Sequence, residues 1–407
     1  MNSRKKRTLC TLMLLLCGAL ILAGCGTTTP PAQPSGNTPA AGGGEPAAGE
    51  PINVGFNLEL TGSSAEFGLS GQNGMKLAFD KVNAEGGVLD GRLFNYISAD
   101  NKSEAGEATS ATTRLVGENV VAILGPMTTA AVLGSIQLVT DNSVVLITPS
   151  GTNARLTINE DGTLNPWIFR ACFIDPFQGE VAANFALDAL GAQTAAIAYD
   201  IVGDYSVGLA ESFKTTFEAA GKTVVSEERF SAGDTDFRPI IENIKATNPD
   251  VIFVPAYYND DGRFVAQARD AGLTVPILGG DGWGSGDMVG IAGAENMNNT
   301  YYVDFVSIDD PSLAEFVSEY EAAYGRAPDG FSVLGYDSAL MLIEAVKKAG
   351  GIEDPEALRA ALENLGEFTG VSGTMSIDPE THNPAKSAVI LEFVDGVKVF
   401  KQKVDPK

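Results

Sequence analysis

From Ile52 onward the chain switches repeatedly between two apolar rhythms. "INVGFNLE" is rich in β-formers, and the segment after it repeats apolar residues at Met75, Ala78, Phe79 and Val82 before stopping at Gly86-Gly87. That spacing of three to four is the signature of one helix face, and paired glycines are a stop. "RLFNYISAD", a helix over 104–116, "VVAILGP", a helix over 130–140 and "VVLITP" follow in order. Strands separated by helices imply a parallel sheet covered on both faces.

After Pro166 the rhythm restarts with "TAAIAYD", a helix over 205–219, "KTVVSEERF", a helix over 237–246, "DVIFVPA", a helix over 261–271 and "VPILGG". "TYYVDFV" then leads into helical patterns over 312–324, 332–348 and 355–365, and a β tail of "GTMSID", "SAVILEFVDG" and "VKVF". The tail is too short for a third domain, so it is expected to complete the two α/β units, with the chain crossing between lobes more than once. Ligands of open parallel sheets sit beyond the carboxyl ends of the strands. Residues 126–129, 149–152, 257–260 and 279–283 fall at such ends, which places a cleft between the lobes.

The first residues set the compartment. Arg4, Lys5, Lys6 and Arg7 precede an apolar run over 9–22 that ends in "LAGC", too short for a comfortable membrane span. The pattern resembles a bacterial lipoprotein signal, with residues 1–24 removed and Cys25 carrying lipid. Residues 25–51, nearly all Gly, Ala, Pro, Thr and Ser, read as a disordered tether. The expected location is extracytoplasmic, on the outer face of the cytoplasmic membrane or in the periplasm, held to the membrane by lipid only. Loss of the four basic leader residues moves the formal net charge from −25 to −29, which argues against nucleic acid as a partner. Cys172 is then the only cysteine of the folded part, so no intramolecular disulfide is expected.

Catalytic chemistry is poorly supplied. A serine nucleophile needs a base, and the one histidine, His382 in "DPETHNPAK", reads as a surface turn residue between two prolines. No G-x-S-x-G elbow, phosphate loop or dinucleotide fingerprint occurs. "AAGKTVV" lacks the first glycine of a phosphate loop, and Gly221 reads as a helix stop. One histidine and one free cysteine also make a metal site improbable. The pair Asp260-Asp261 offers acid/base candidates, but in so acidic a chain such pairs read as solvated surface. No cofactor, metal or catalytic residue is expected.

The strand ends suit a small zwitterion. A carboxylate asks for backbone N–H groups and hydroxyls at a close-approach turn, which Ser150, Gly151 and Thr152 of "TPSGT" offer, with Thr128 and Thr129 at the neighbouring strand end. These residues read equally as turn and helix N-cap residues, and a helix N-terminus is itself an anion site. An ammonium asks for an anion in the opposite wall, where Asp281 after "PILGG" is the candidate and an ordinary helix cap is the alternative. Phe67, Met127, Tyr205 and Trp283, all uncharged, remain to surround the ligand's side chain. A charged side chain would lose water there without gaining a partner.

Residues 52–400 resemble the branched-chain amino-acid type of periplasmic solute-binding protein, the extracellular partner of an ABC importer. The resemblance runs through "GFNLELTGSSAEFG", "AILGPMTTAAV", "VVLITPSGTNARLT", "IFRACFIDPFQG", "AIAYDIVGDYSVGLAESF" and "GYDSALMLIEAVKKAG" in order. It implies the type I periplasmic binding fold: two Rossmann-like α/β lobes with parallel central sheets, joined by three crossovers around a ligand cleft. The N-terminal lobe would be 52–171 plus 305–387, and the C-terminal lobe 172–304 plus 388–407. It also implies that Thr129, Ser150 and Thr152 bind an amino-acid carboxylate, that Asp281 binds the α-ammonium, and that Tyr257 lines the same side. Some members have a disulfide where Ser103 and Thr128 stand here, so local rigidity is expected to come from packing. The expected function is capture of a small branched-chain or otherwise apolar amino acid by a monomer that delivers it to an ABC permease. A ligand-sensing receptor module of the same fold, a binder of an amide, urea or aromatic acid, and an exported hydrolase using Ser150 are the alternatives.

Overall fold

A computed structural model describes residues 49–406. The predicted leader, Cys25 and most of the tether lie outside the described residues. The first half of the chain runs β1 (Ile52–Leu58), α1 (Ala65–Ala84), β2 (Phe94–Asp100), α2 (Ala105–Gly117), β3 (Ala122–Leu124), α3 (Thr129–Leu133), α4 (Ile136–Asp141), β4 (Val145–Thr148) and β5 (Ile168–Arg170). These strands form one sheet in the order β2-β1-β3-β4-β5, parallel throughout.

Next come α5 (Asp175–Asp188), β6 (Thr194–Asp200), α6 (Asp204–Ala219), β7 (Thr223–Phe230), α7 (Arg238–Thr247), β8 (Val251–Phe253), α8 (Tyr258–Asp270), β9 (Ile277–Gly279), α9 (Asp287–Ala292) and β10 (Thr300–Asp304). The chain then returns to the first sheet with α10 (Ala314–Tyr324), α11 (Gly330–Ala349) and α12 (Pro355–Glu363), and ends in β11 (Glu367–Gly370), β12 (Gly373–Ile377), β13 (Pro384–Ala385), β14 (Ala388–Val394) and β15 (Val397–Val404). The second sheet has the order β15-β14-β10-β9-β8-β6-β7, in which β14 alone runs against the others, antiparallel to β10 on one side and to β15 on the other. Passages after β5, after β10 and before β14 carry the chain between the sheets, the three crossovers expected.

Local sequence explains these elements. The short runs "AIL", "VLIT" and "VIF" are buried along their whole length, as strands covered on both faces must be. Helix α11 opens on a reciprocal cap in which Asp329 accepts from the Ser332 N–H at 2.9 Å and the Asp329 N–H donates to Ser332 Oγ at 2.9 Å, and it stops at left-handed Gly350. Gly221, just past α6, has φ of 75° and is the helix stop read from the sequence.

Three expectations need correction. The helix expected over 130–140 is two short helices, because α2 packs against the break: the Gly134 carbonyl accepts from Thr109 Oγ1 at 2.7 Å, and Ser135 Oγ accepts from Thr112 at 2.9 Å. The β tail completes the second sheet through β14 and β15 only, since β11, β12 and β13 form a small sheet of their own. His382 does sit in a turn, with φ of 56°, but it is fully buried. Its ring stacks on Phe169 at 4.0 Å, its Nδ1 meets the Ile168 carbonyl at 2.9 Å, and its Nε2 lies 3.3 Å from Glu363. Burial lowers its pKa while the two acceptors oppose the fall, and the neutral ring, with one N–H, can donate to only one of them.

Candidate functional site

Loops at the carboxyl ends of parallel strands from both sheets meet at one place. Across the gap, Asn153 Nδ2 donates to the Asp204 carbonyl and Arg155 pairs with the Asp204 carboxylate, each at 2.9 Å. Asn259 donates to the Ser63 carbonyl, and Phe67 meets the rings of Tyr257 and Tyr258 edge-on at 5.5 and 5.2 Å. A cavity of about 370 Å³ lies between the lobes, lined by Ser63, Ser64 and Thr128 on one side and by Tyr205, Tyr257 and Asp260 on the other. Thr129, Ser150, Thr152 and Asp281 are each no more than 4% exposed, so the cleft is shut over them.

The first wall is organised by a carboxylate that sequence reasoning passed over. Glu59, fully buried at the end of β1, accepts from the Met127 and Thr128 N–H groups at 3.1 Å each and from Thr128 Oγ1 at 2.8 Å. Burial raises its pKa while these donors oppose the rise. The loop before α3 is therefore held by a buried hydrogen-bond fan, and not by packing alone as expected. Ser103 joins a different pair of loops, accepting from the Ser64 N–H at 3.0 Å and donating to the Thr61 carbonyl at 2.8 Å. The signal in the sequence was a glutamate closing a β-rich run, "GFNLE".

The Ser150 hydroxyl donates to the Met127 carbonyl at 2.8 Å, so its proton is committed and its backbone N–H is what it can offer an anion. The buried Thr152 hydroxyl makes no well-formed hydrogen bond and lies beside the Asp175 carboxylate, whose pKa it lowers. Behind this loop lies fully buried Arg170, which donates to the carbonyls of Gly151 at 2.7 Å and Asn153 at 2.9 Å. Peptide N–H and C=O groups point in opposite directions, so a Gly151 carbonyl held from behind turns the Thr152 N–H away from Arg170. The guanidinium also puts a positive charge behind an anion wall. Desolvation lowers its pKa.

In the second wall, Asp281 opens a single 3₁₀ turn, Asp281–Trp283. Its Oδ1 accepts from Gln178 Nε2 at 2.7 Å and from the Tyr205 hydroxyl at 3.0 Å. Burial pushes the Asp281 carboxyl up to about 8, the two donors pull it back, and the charge of Asp175 adds to the rise. Tyr205 stacks on Tyr257 at 5.0 Å, within 9° of parallel, and the Tyr257 hydroxyl faces the Thr129 backbone amide across the cleft. The fold thus brings Thr129, Tyr257, Tyr205 and Asp281 into one chain of contacts, with Phe67 at its edge. Met127 is buried at the start of the first loop, its thioether against Gly71.

Trp283 does not join them. It is fully buried in the second lobe with its ring over Gly279 of β9, and its Nε1 donates to Asp261 at 2.6 Å. Its assignment to the side-chain pocket is corrected: an indole of this size, with a buried carboxylate to bond, packs inward. Asp260 and Asp261 are likewise buried and not solvated surface. Asp261 also accepts from the Ala256 N–H at 3.0 Å, and Asp260 accepts from the Gly233 N–H at 3.1 Å. No group of three or more metal-ligating side chains occurs among the described residues.

The family of periplasmic binding proteins matches residues 51–398. Among curated proteins, the Leu/Ile/Val-binding protein BraC3 of Rhizobium johnstonii is 29% identical over 331 residues, covering 81% of this chain and 88% of that one. The crystal structure of a leucine binding protein, LivK, from Thermotoga maritima superposes with a TM-score of 0.81 at 31% identity, covering 87% of this chain and 99% of that one. The branched-chain amino acid transporter substrate binding protein LivJ from Streptococcus pneumoniae, solved in complex with isoleucine, gives a TM-score of 0.81 at 35% identity, covering 88% and 100%. With two lobes of this topology and a match that spans nearly all described residues, the chain belongs to the periplasmic binding protein family, in its branched-chain amino-acid type.

Proposed function

We propose that this chain captures a small amino acid with a branched-chain or otherwise apolar side chain and delivers it to the permease of an ABC importer. The observation that supports the reading is Asp281, a carboxylate buried among the strand-end loops and held by Gln178 and Tyr205. The ligand's carboxylate would lie against Thr129, Thr152 and the backbone of Ser150, backed by Arg170. Its ammonium would lie at Asp281 and Tyr257. Phe67, Met127 and Tyr205 would take the side chain, where each buried methylene contributes about 0.8 kcal/mol. The relatives whose names include leucine, isoleucine and valine support this class of ligand.

The mechanism is differential binding. A ligand touching both walls only when the cleft is shut stabilises the closed form over the open one, and the permease reads the closed form. The lobes would be 52–171 with 305–387 and 172–304 with 388–407, and the protein would act as an extracytoplasmic monomer tethered through lipid on Cys25. Cys25→Ser should move the protein from the membrane fraction to the soluble one. Unchanged membrane association would remove the anchor from the proposal.

A thermal-shift screen of the twenty amino acids on ligand-stripped protein tests the central reading. Leu, Ile, Val or an aromatic amino acid should raise Tm through linkage, and Arg, Lys, Asp and Glu should not. A preference for a charged amino acid, or a response to aromatic acids alone, would overturn it.

A further inference from the structure

The first turn of α5 carries two side chains whose polar atoms are buried and unanswered. Asp175 and Gln178 stand at positions i and i+3 and so share a helix face. The carboxylate oxygens of Asp175, Oε1 of Gln178 and the Thr152 hydroxyl make no well-formed hydrogen bond among the described residues, although Thr152 and Asn153 lie close enough to Asp175 to oppose the rise in its pKa. Gln178 already commits its Nε2 to Asp281 at 2.7 Å, which fixes the amide and leaves Oε1 as an acceptor only. Asp175 lies at the Thr152–Asn153 loop and against α6, where a Cβ on Gly208 would stand 3.3 Å from its Oδ2.

These atoms form an extension of the Asp281 site. Burial pushes Asp175 up to about 7, and its charge is one of the causes that raise Asp281, Tyr205 and Tyr257. Arg170 acts on Asp175 through space, but its two terminal nitrogens are turned to the carbonyls of Gly151 and Asn153. Three of the unpaired buried atoms here accept only, Asp175 Oδ1 and Oδ2 and Gln178 Oε1, against the Thr152 hydroxyl and Arg170 Nε as the unpaired donors. Buried polar groups in folded proteins are almost always paired, and a primary ammonium supplies what is missing here: three N–H donors on one cation.

Resting on the amino-acid reading above, we propose that Asp175 and Gln178 are part of the ligand's ammonium subsite, each accepting an N–H that Asp281 does not take. Asp281 then orients the ammonium from one side, and the α5 turn receives it from the other. Because α5 follows the first passage between the lobes, its placement in the subsite also ties ammonium recognition to the hinge side of the cleft.

The test compares L-leucine with 4-methylpentanoate, its analogue without the amino group, by calorimetry on ligand-stripped wild type and Asp175→Asn. The variant should lose about tenfold or more in leucine affinity and less than about twofold for 4-methylpentanoate. Equal loss for both ligands would make Asp175 a structural residue of the loop, and unchanged leucine affinity would leave its pocket to water; either overturns the proposal. A second measurement uses wild type alone and is independent of whether the variant folds. Replacing N–H groups by methyls, in N-methyl- and N,N-dimethyl-leucine, should weaken binding at each step, and full retention by the dimethyl ligand would refute the three-acceptor site. Wild type that binds 4-methylpentanoate or an aromatic acid but not leucine would instead overturn the amino-acid reading itself.

Discussion

The Tyr205 hydroxyl donates to Asp281 Oδ1 at 3.0 Å and accepts from the Gly282 N–H at 3.2 Å, while its ring lies flat on Tyr257. One phenol therefore fixes the carboxylate, the turn that carries it and the neighbouring aromatic wall. Tyr205→Phe keeps the stack and removes the hydroxyl. Hydrogen bonds to charged groups contribute about 1.5–3 kcal/mol, so amino-acid affinity should fall by roughly tenfold or more, and the Gly282 N–H left without its acceptor should lower stability by about 1–3 kcal/mol. Calorimetry checks this, and unchanged affinity would show that Gln178 alone holds Asp281.

Binding should depend on pH in a direction set by Asp281. Its carboxyl, pushed up to about 8 by burial in the ligand-free protein, holds a proton through the neutral range, whereas in the unfolded chain it is ionised above about pH 4. The folded state thus binds more protons than the unfolded state between those values, so this group makes stability fall as pH rises from about 4 to 8, then level. An ammonium requires the ionised form, and binding below pH 8 must expel a proton. Affinity should accordingly rise from pH 6 to 8 by up to about tenfold per unit and flatten above. Titrations in buffers of different ionisation enthalpy should show the proton released at pH 7. Affinity that falls over this range would contradict the assignment.

The alternation of strand and helix was legible because parallel sheets covered on both faces demand continuous apolar runs, and "VVLITP" or "DVIFVPA" has few other uses. The loops that meet between the two sheets were legible for a related reason, since "TPSGT" contains nothing able to build core. What the sequence hid was which side a residue at a strand end packs on. Trp283 and Asp281 sit two positions apart in one turn, and one closes on Gly279 while the other faces Gln178 and Tyr205. Glu59, Arg170 and Asp175 were hidden because a charged residue reads as surface until the loop it serves is seen folded over it.

A second feature absent from any periodic pattern is the contact of α1 with α11. The two helices cross where Gly71 and Gly74 meet Ser332 and Gly335, and a Cβ on Gly74 would run into the Ser332 carbonyl. Backbone cannot yield as a side-chain tip can, so Gly74→Ala should cost about 1–3 kcal/mol by overpacking, a loss in Tm of roughly 2–10 °C. Gly106→Ala, on α2 with open space at the same position, is the control and should leave Tm unchanged or slightly raised. Equal behaviour of the two variants in a melting experiment would show that the helices do not touch as described.

The last prediction separates core from pocket among the aromatic residues. Phe67 stands at the cleft, stacked on Phe331 at 4.1 Å in its own lobe and edge-on to Tyr257 and Tyr258 in the other. Trp283 is enclosed in the second lobe and donates to the buried Asp261, whose other oxygen has no partner. Truncating Trp283 removes a large packed side chain and also strips a donor from a buried carboxyl. Large-to-small changes of this kind cost about 3–5 kcal/mol, and the unmet acceptor adds to it. Trp283→Ala should therefore lower Tm strongly while the rank order of ligands in the amino-acid screen stays as in wild type. Phe67→Ala should do the reverse: a smaller loss of Tm, with the ranking shifted toward larger apolar side chains because the space it vacates opens on the cleft. If Trp283→Ala changes the ranking and Phe67→Ala does not, the indole reaches the ligand after all and the assignment of the two rings must be exchanged.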